Sequence, residues 1–341
     1  MRTSLSLEIA KSTLVTAAGY SFGNRSISGL DWYNAPDPRP DYYRYLPSYQ
    51  SDPALKQQVT DLLSSNESPR QINWQNFYNV NREHTETIYN ANGIDGNDIS
   101  GKRSLYVLQN RVINSQKLNV NIVANSRLSE HADLSAGASY QWQRNHYYQQ
   151  LEDLLGGEFY VDLNQFAERD FPNDPNAAQN DLNNPNRIVK TGDKYGYNYD
   201  INISRAATWL QNVFRYNHFD FFAALEISET RFWRTGNVRN GLFPNDSYGR
   251  SDANVFKNRA IKAGITYKIN GRNYMYANVA DITKPPYFDN VYISPRTRDF
   301  IQDDLISESI QTAEAGYILN APRLKLRIGG YYTAQMMHST C

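Results

Sequence analysis

The side chains able to do chemistry in this 341-residue chain are scattered, and their spacing rejects most reaction types. Five histidines, His84, His131, His146, His218 and His338, share no i, i+4 pairing and no HExxH frame, so no zinc site is read from them. The single cysteine, Cys341, excludes a disulfide framework and a thiolate metal centre. No GxSxG elbow, P-loop or strand-bound GxGxxG occurs. The GNDISG run after Asp95 has only part of a calcium loop's ligand series and no terminal Glu. The Asp- and Asn-rich segment 173–186 reads as Asx turns before it reads as a calcium site. No catalytic residue, metal or cofactor is expected, and the chain is not read as an enzyme.

Two clusters suit recognition rather than catalysis. Trp32, Tyr42, Tyr43, Arg44 and Tyr45 concentrate rigid, amphipathic contact surface in one segment. Packing of the segment onto its neighbours or placement at a membrane interface is the competing use. Arg296 and Arg298, beside Asp299 and near Tyr287, Phe288 and Tyr292, could hold an anionic group by bidentate contacts; salt bridges between loops would use the same residues. Tyr147, Tyr148, Phe219, Phe221 and Phe222 fall near strand ends and read as interfacial girdle aromatics.

The elements that must carry these residues are strands. Tyr is abundant (26 residues) and aromatics make up 13%, which suits β-propensity better than a helical bundle. Leu118, Val120, Ile122, Ala124, Ser126 and Leu128 alternate with Asn119, Asn121, Asn125 and Arg127. The same period-2 pattern recurs over 134–142, 196–217, 221–227, 261–269, 274–280, 313–319 and 324–328. Strands near 12–23 and from about 104 complete roughly nine. Tight turns at 129–133, 217–220, 270–273 and 320–323 alternate with long connections at about 24–103, 145–195, 234–254 and 283–306. Asn270–Gly271 is the sharpest hairpin signal. That asymmetry is foreign to a compact soluble domain and expected of an outer-membrane barrel with short periplasmic turns and long extracellular loops. An amide-rich face facing a wet lumen needs only water as its partner, leaving the apolar face to lipid. Equal numbers of acidic and basic side chains, 35 each, argue against a nucleic-acid partner. No apolar run reaches the roughly 18 residues of a membrane helix. The N-terminal MRTSLSLEIAKST has no continuous apolar stretch and is not read as a signal peptide. The fold class is therefore all-β, a partial antiparallel transmembrane barrel; the alternative is a soluble secreted β-sandwich that binds carbohydrate, and a third reading is a structural barrel without transport.

Several segments carry a resemblance. GLDWYNAPDPRPDYYRYLP (29–47), LEDLLGGEFYVDLNQFAERDF (151–171), QNDLNNPNR (179–187), FWRTGNVRNGLFPNDSYG (232–249) and PPYFDNVYISPRTRD (285–299) resemble the extracellular loops of TonB-dependent outer-membrane receptors. WLQNVFRYNHFDFF (209–222), AGITYKINGRNYMY (263–276) and ESIQTAEAGYIL (308–319) resemble their barrel strands. The resemblance runs over nearly all of 13–335. It implies a 22-stranded barrel around an N-terminal plug, energised through TonB, that takes up a scarce nutrient such as an iron chelate, cobalamin, glycan or peptide. It implies placement in the cell outer membrane, with membrane lipid and lipopolysaccharide as surroundings. About nine strands cannot close such a barrel, and the chain carries neither plug nor TonB box and ends MMHSTC instead of in an aromatic-terminated strand. Residues 1–341 are thus expected to be a barrel fragment, reaching TonB only through the plug of a full-length receptor. Ligand contacts are expected at Trp32, Tyr42, Tyr43, Arg44, Tyr45, Arg296 and Arg298.

Overall fold

A computed structural model of the chain describes residues 2–9 and 11–336; His338 and Cys341 lie outside them. Alternating sequence becomes long strand wherever it was read, and the strands run on past the alternation. In chain order they are β1 (Arg2–Ile9), β2 (Ser12–Trp32), β3 (Thr85–Ile88), β4 (Ile99–Lys102), β5 (Tyr106–Arg127), β6 (Ala132–Asp153), β7 (Tyr160–Val161), β8 (Ile188–Val189), β9 (Lys194–Arg215), β10 (Phe219–Gly236), β11 (Gly249–Arg250), β12 (Asn254–Lys268), β13 (Asn273–Lys284), β14 (Glu308–Ala321) and β15 (Leu324–Met336). The long ones form a single antiparallel meander in the order β1-β2-β5-β6-β9-β10-β12-β13-β14-β15, with β11 pairing β10 at one end. This is the partial antiparallel barrel wall read from the sequence. It has one strand more than counted: β1, whose Leu5 and Leu7 alternate with Ser4, Ser6 and Glu8, pairs residue for residue with Ser12–Gly19.

Within the meander the connections at 128–131, 216–218, 269–272 and 322–323 are tight and close one end of the sheet. Those at 33–105, 154–193, 237–253 and 285–307 are long and crowd the other. They carry structure of their own. The first holds α1 (Pro53–Ser65), capped by Asp52 with Pro53 in its first turn, and α2 (Trp74–Glu83), capped by Asn73. The second holds α3 (Gln165–Asp170), capped by Asn164. Hairpins β3–β4 and β7–β8 add two small sheets. No helix among the described residues is long and apolar enough to cross a membrane.

The ladder fixes which side chains share a face, because a strand's side chains alternate and cross-strand partners point the same way. Ile122 stands opposite Thr16 and Ala138, Leu225 opposite Leu210 and Ile261, and Ala263 opposite Val279. This face is apolar and bare: Ile122, Leu225, Ile227, Ile261, Ile265 and Val279 are all exposed, Ile227 to 56%. The other face carries Asn121 opposite Ser139, Asn119 opposite Gln141, and the ion pair of Arg205 with Glu226 at 2.6 Å. At the tight-turn end the bare face closes in an aromatic row: Phe214 stacks on Phe221 (4.6 Å between centroids) and Phe219 on Tyr267 (4.9 Å). Phe219 and Phe221 stand in this row, on the face where girdle aromatics were expected. Phe222 does not: its ring lies on the polar face under Gly264, by the same alternation. Tyr147 likewise points inward and stacks on Tyr199 at 5.0 Å.

The buried core lies elsewhere, among the long connections and the strand ends that meet them. One cluster joins Tyr33, Val107, Leu151, Tyr160, Val189 and Tyr195; a second joins Tyr199, Ile201, Phe232, Phe256, Val291 and Tyr292. Smaller clusters gather around Phe159 and Val161 and around Phe77, Tyr106 and Leu155. Asn81 of α2 is wholly buried and ties this layer together: Nδ2 donates to the carbonyls of Tyr106, Leu154 and Leu155 (2.8–3.1 Å), and Oδ1 accepts from the Leu105 and Tyr106 amides (2.8 and 3.1 Å).

Candidate binding cavity in the loop layer

The loop layer forms an open cavity of about 330 Å³ at the ends of β2 and β9. β2 brings Asp31 and Trp32 to its edge. β9 reaches it through an irregularity: Tyr148 pairs with Asn198 but Gln149 with Tyr195, so Gly196 and Tyr197 form a bulge. Gly196 takes the left-handed φ of +69° that the bulge needs, and the bulge turns Tyr197 to the cavity. Hairpin β7–β8 supplies Tyr160, connection 237–253 supplies Asn240, and connection 285–307 supplies Arg296 and Thr297.

The polar groups divide into those already committed and those not. Asp31 Oδ2 accepts from Tyr195 Oη and Gln149 Nε2 (both 2.8 Å), and Oδ1 accepts from the Trp32 amide (3.0 Å). Gln165 donates to the Trp32 carbonyl and accepts from the Asn34 amide. Asp162, just behind, is buried; burial raises its carboxyl pKa, against the pull of Arg187 at 3.4 Å and hydrogen bonds from the Gly196 amide and Asn180 (both 2.8 Å). Burial likewise holds the Tyr160 hydroxyl well above the ordinary phenol range. Tyr33 is sealed below Arg103, whose guanidinium carbon sits 4.2 Å from its ring centroid. Its hydroxyl donates to Glu168; burial first and that bond second raise its pKa.

Of the seven expected contact residues, the structure brings Trp32 and Arg296 to this cavity. Tyr42, Tyr43, Arg44 and Tyr45 form an exposed patch beside it. Tyr42 packs edge-on against Tyr43 (4.8 Å) and Tyr45 (5.2 Å), and Arg44 donates from Nε to the Tyr43 hydroxyl (3.0 Å). Arg39 links patch to cavity, its guanidinium lying 5.5 Å from the Trp32 ring and 5.9 Å from that of Tyr42. Arg298 does not join Arg296. It is sandwiched between Phe243 (4.4 Å) and Phe300 (4.5 Å), so the paired-arginine clamp does not form. Asp299 faces the buried Arg234, which donates to the carbonyls of Pro295 and Ser247 (2.7 and 2.8 Å) and so staples connection 285–307 to 237–253.

The sequence reading missed Tyr160, Tyr197 and Asn240. A signal was present in Tyr195, Tyr197 and Tyr199, three aromatics on a parity that lower in the same strand carries Arg205 and Gln211. The Asp95 loop is a turn closing β3–β4: Asn90 Oδ1 accepts from the Gly96 amide and Asp98 Oδ1 from the Asn90 amide. In 173–186, Asp174 and Asp181 accept from the amides of Asn176 and Asn183 as Asx turns. Among the described residues no group of three or more His, Cys, Asp or Glu is placed to hold a metal ion. Connections 154–193 and 237–253 interlock: the Gly241 amide donates to Gln179 O (2.8 Å) and the Leu182 amide to Arg239 O (2.7 Å). A Cβ at Gly241 would collide with the Asn176 carbonyl.

No family model matches the chain, and no curated protein is similar to it in sequence. Among solved structures it is similar to the copper transporter OprC (8% identity, TM-score 0.46, 98% of this chain and 46% of that one). It is also similar to the ferric-catecholate import receptor Fiu from E. coli K12 in its open form (9% identity, TM-score 0.41, 98% and 45%). The chain spans less than half the length of either.

Proposed function

We propose that this chain is barrel wall and extracellular loop layer of a TonB-dependent receptor in the outer membrane, and that the loop-layer cavity is where an external nutrient first binds. One observation supports this most: the bare apolar face has the height of a membrane. On β10 the outward residues run from Phe219 in the aromatic row through Phe221, Ala223, Leu225 and Ile227 to Glu229 and Arg231; across the ladder Lys257 stands opposite Glu229 and Arg259 opposite Ile227. Ten residues separate Phe219 from Glu229. That is roughly 33 Å of strand, or roughly 24 Å of height at a 45° tilt, against an apolar band of about 25 Å on outer-membrane barrels. The polar inward face and the buried layer above it suit a hydrated passage under a binding vestibule. The plug and TonB contact belong to the receptor of which this wall is a part, and no covalent chemistry is asked of these residues.

Topology tests the reading. Tags inserted after Asn66 and after Asp174, both in the long connections, are expected to be labelled by an impermeant reagent on intact cells. A tag at Gly271, in a tight turn, is expected to be labelled only after the outer membrane is opened. The reverse pattern, or equal labelling of all three, would overturn it.

A further inference from the structure

We infer that the loop-layer cavity recognises a carboxylate-bearing ligand, with Arg296 at its mouth and Tyr160 at its floor as the groups that meet the anion. The inference rests on the receptor reading and adds the ligand's chemical class.

Hydrogen-bond accounting around the cavity leads there. Its one carboxylate, Asp31, already accepts three hydrogen bonds, and both functions of Gln165 are used. Asn240 is only 5% exposed; its Oδ1 accepts from the Leu242 amide, while its Nδ2 has no partner. Tyr160 is 3% exposed and its hydroxyl makes no hydrogen bond. Neither atom is among the fully buried, unmatched side-chain atoms of the described residues, so both stay open to the cavity and available to a molecule that enters it. Arg296 is exposed, stacked 5.0 Å over the Tyr197 ring, with no carboxylate partner among the described residues. Three unspent donors, one of them cationic, therefore reach the cavity from three different segments, beside the unspent amide oxygens of Gln149 and Asn180. An oxyanion is the complement of such a set, and a guanidinium already held against an aromatic ring is oriented to meet one.

Size narrows the class. A volume of about 330 Å³ is at the small end for ligand sites and admits one sugar ring or one or two amino-acid residues. Among the lining aromatics, Tyr197 carries the Arg296 guanidinium on its ring, while the Trp32 ring packs toward Phe77 and Tyr106 at the cavity's edge. The shared chemistry is thus a carboxylate on a small unit, from either an acidic sugar or the end of a peptide.

Calorimetric titration of the intact protein in detergent micelles tests this with four probes: galacturonate, its methyl ester, glucose and N-acetylalanine. Galacturonate, N-acetylalanine or both are expected to bind, and which one does identifies the source. The ester and glucose are expected to bind at least about tenfold more weakly, the loss of one charge-assisted hydrogen bond. Arg296→Gln should erase that preference and Arg296→Lys restore part of it; Tyr160→Phe should weaken carboxylate binding without unfolding the protein, as judged by unchanged tag labelling. Equal binding of galacturonate and its ester would overturn the inference. So would a carboxylate preference unchanged in Arg296→Gln, or the absence of binding by either carboxylate. If instead glucose binds and Trp32→Ala abolishes it, the cavity serves a neutral ligand and the receptor reading stands alone. Failure of the receptor reading itself would appear in the tag topology, which none of these titrations measures.

Discussion

Leu225 and Phe232 sit seven residues apart on one strand and live under different rules. Leu225 is exposed on the bare face, with only cross-strand neighbours; Phe232 is 2% exposed, stacked on Phe256 at 5.3 Å within a closed cluster. The lower wall has no dry core of its own and depends on an apolar surrounding to cover one face. The loop layer is a folded, water-adapted unit with side chains packed on all sides. One chain thus joins two stability regimes, and the difference locates each regime's weak points.

The largest expected effect is in the layer. Asn81→Leu would remove five hydrogen bonds and leave two amides and three carbonyls without their partner, each orphaned group costing about 1–3 kcal/mol. Faster hydrogen exchange at the Leu105 and Tyr106 amides and new tryptic cleavage at Arg82 and Arg103 are expected. Heat-modifiable migration of a full-length receptor carrying this wall should survive the change in detergent gels. Loss of that migration as well would show that the two regions unfold as one and would break the comparison. Phe232→Ala is expected to cost about 3–5 kcal/mol through the cavity it leaves, and Leu225→Ala well below that, in denaturant titration from micelles. Similar costs at both positions would place Leu225 in a packed core.

The alternation Leu118–Leu128 was legible because a period of two survives whichever solvent lies outside. It predicts that Ile122→Arg impairs membrane assembly by about 2–4 kcal/mol while Asn121→Arg is tolerated, read by the assembled fraction in isolated membranes. What lay beyond the alternation was harder to read. β5 continues upward through Val112, Val107 and Tyr106, where both faces meet protein and the polar parity is lost. Helices α1 and α2 were announced only by Asp52–Pro53 and Asn73, short capping signals inside polar sequence. β1 was legible in Leu5 and Leu7 but was weighed only as a leader segment. In the site, Trp32 and Arg296 stood out by residue type. Tyr160, Tyr197 and Asn240 meet them only through long-range folding, and nothing local distinguishes Arg296 from Arg298, two residues on, which is spent between two Phe rings.

The smallest effect is a pH slope in the layer. The folded pKa of Asp162 is raised by burial, so the folded form holds this proton more tightly than the unfolded chain. Its favourable contribution is complete below the unfolded value of about 4, and is lost as pH rises from there through the folded value. Asp162→Asn should flatten that part of the stability curve, measured as denaturation midpoint against pH; an unchanged slope would assign it to other carboxyl groups.

The interlock at Gly241 bears on how such surfaces diversify. Two connections that thread through each other's backbone hydrogen bonds cannot be exchanged one at a time. A relative's version of 237–253 placed alone into this layer would bring a side chain against Asn176 wherever it lacked the glycine, and would strand Gln179 O and the Leu182 amide. Both segments would have to change in a single recombination event, so variation here should arrive in blocks, and a graft of this layer should be cut on the far side of both.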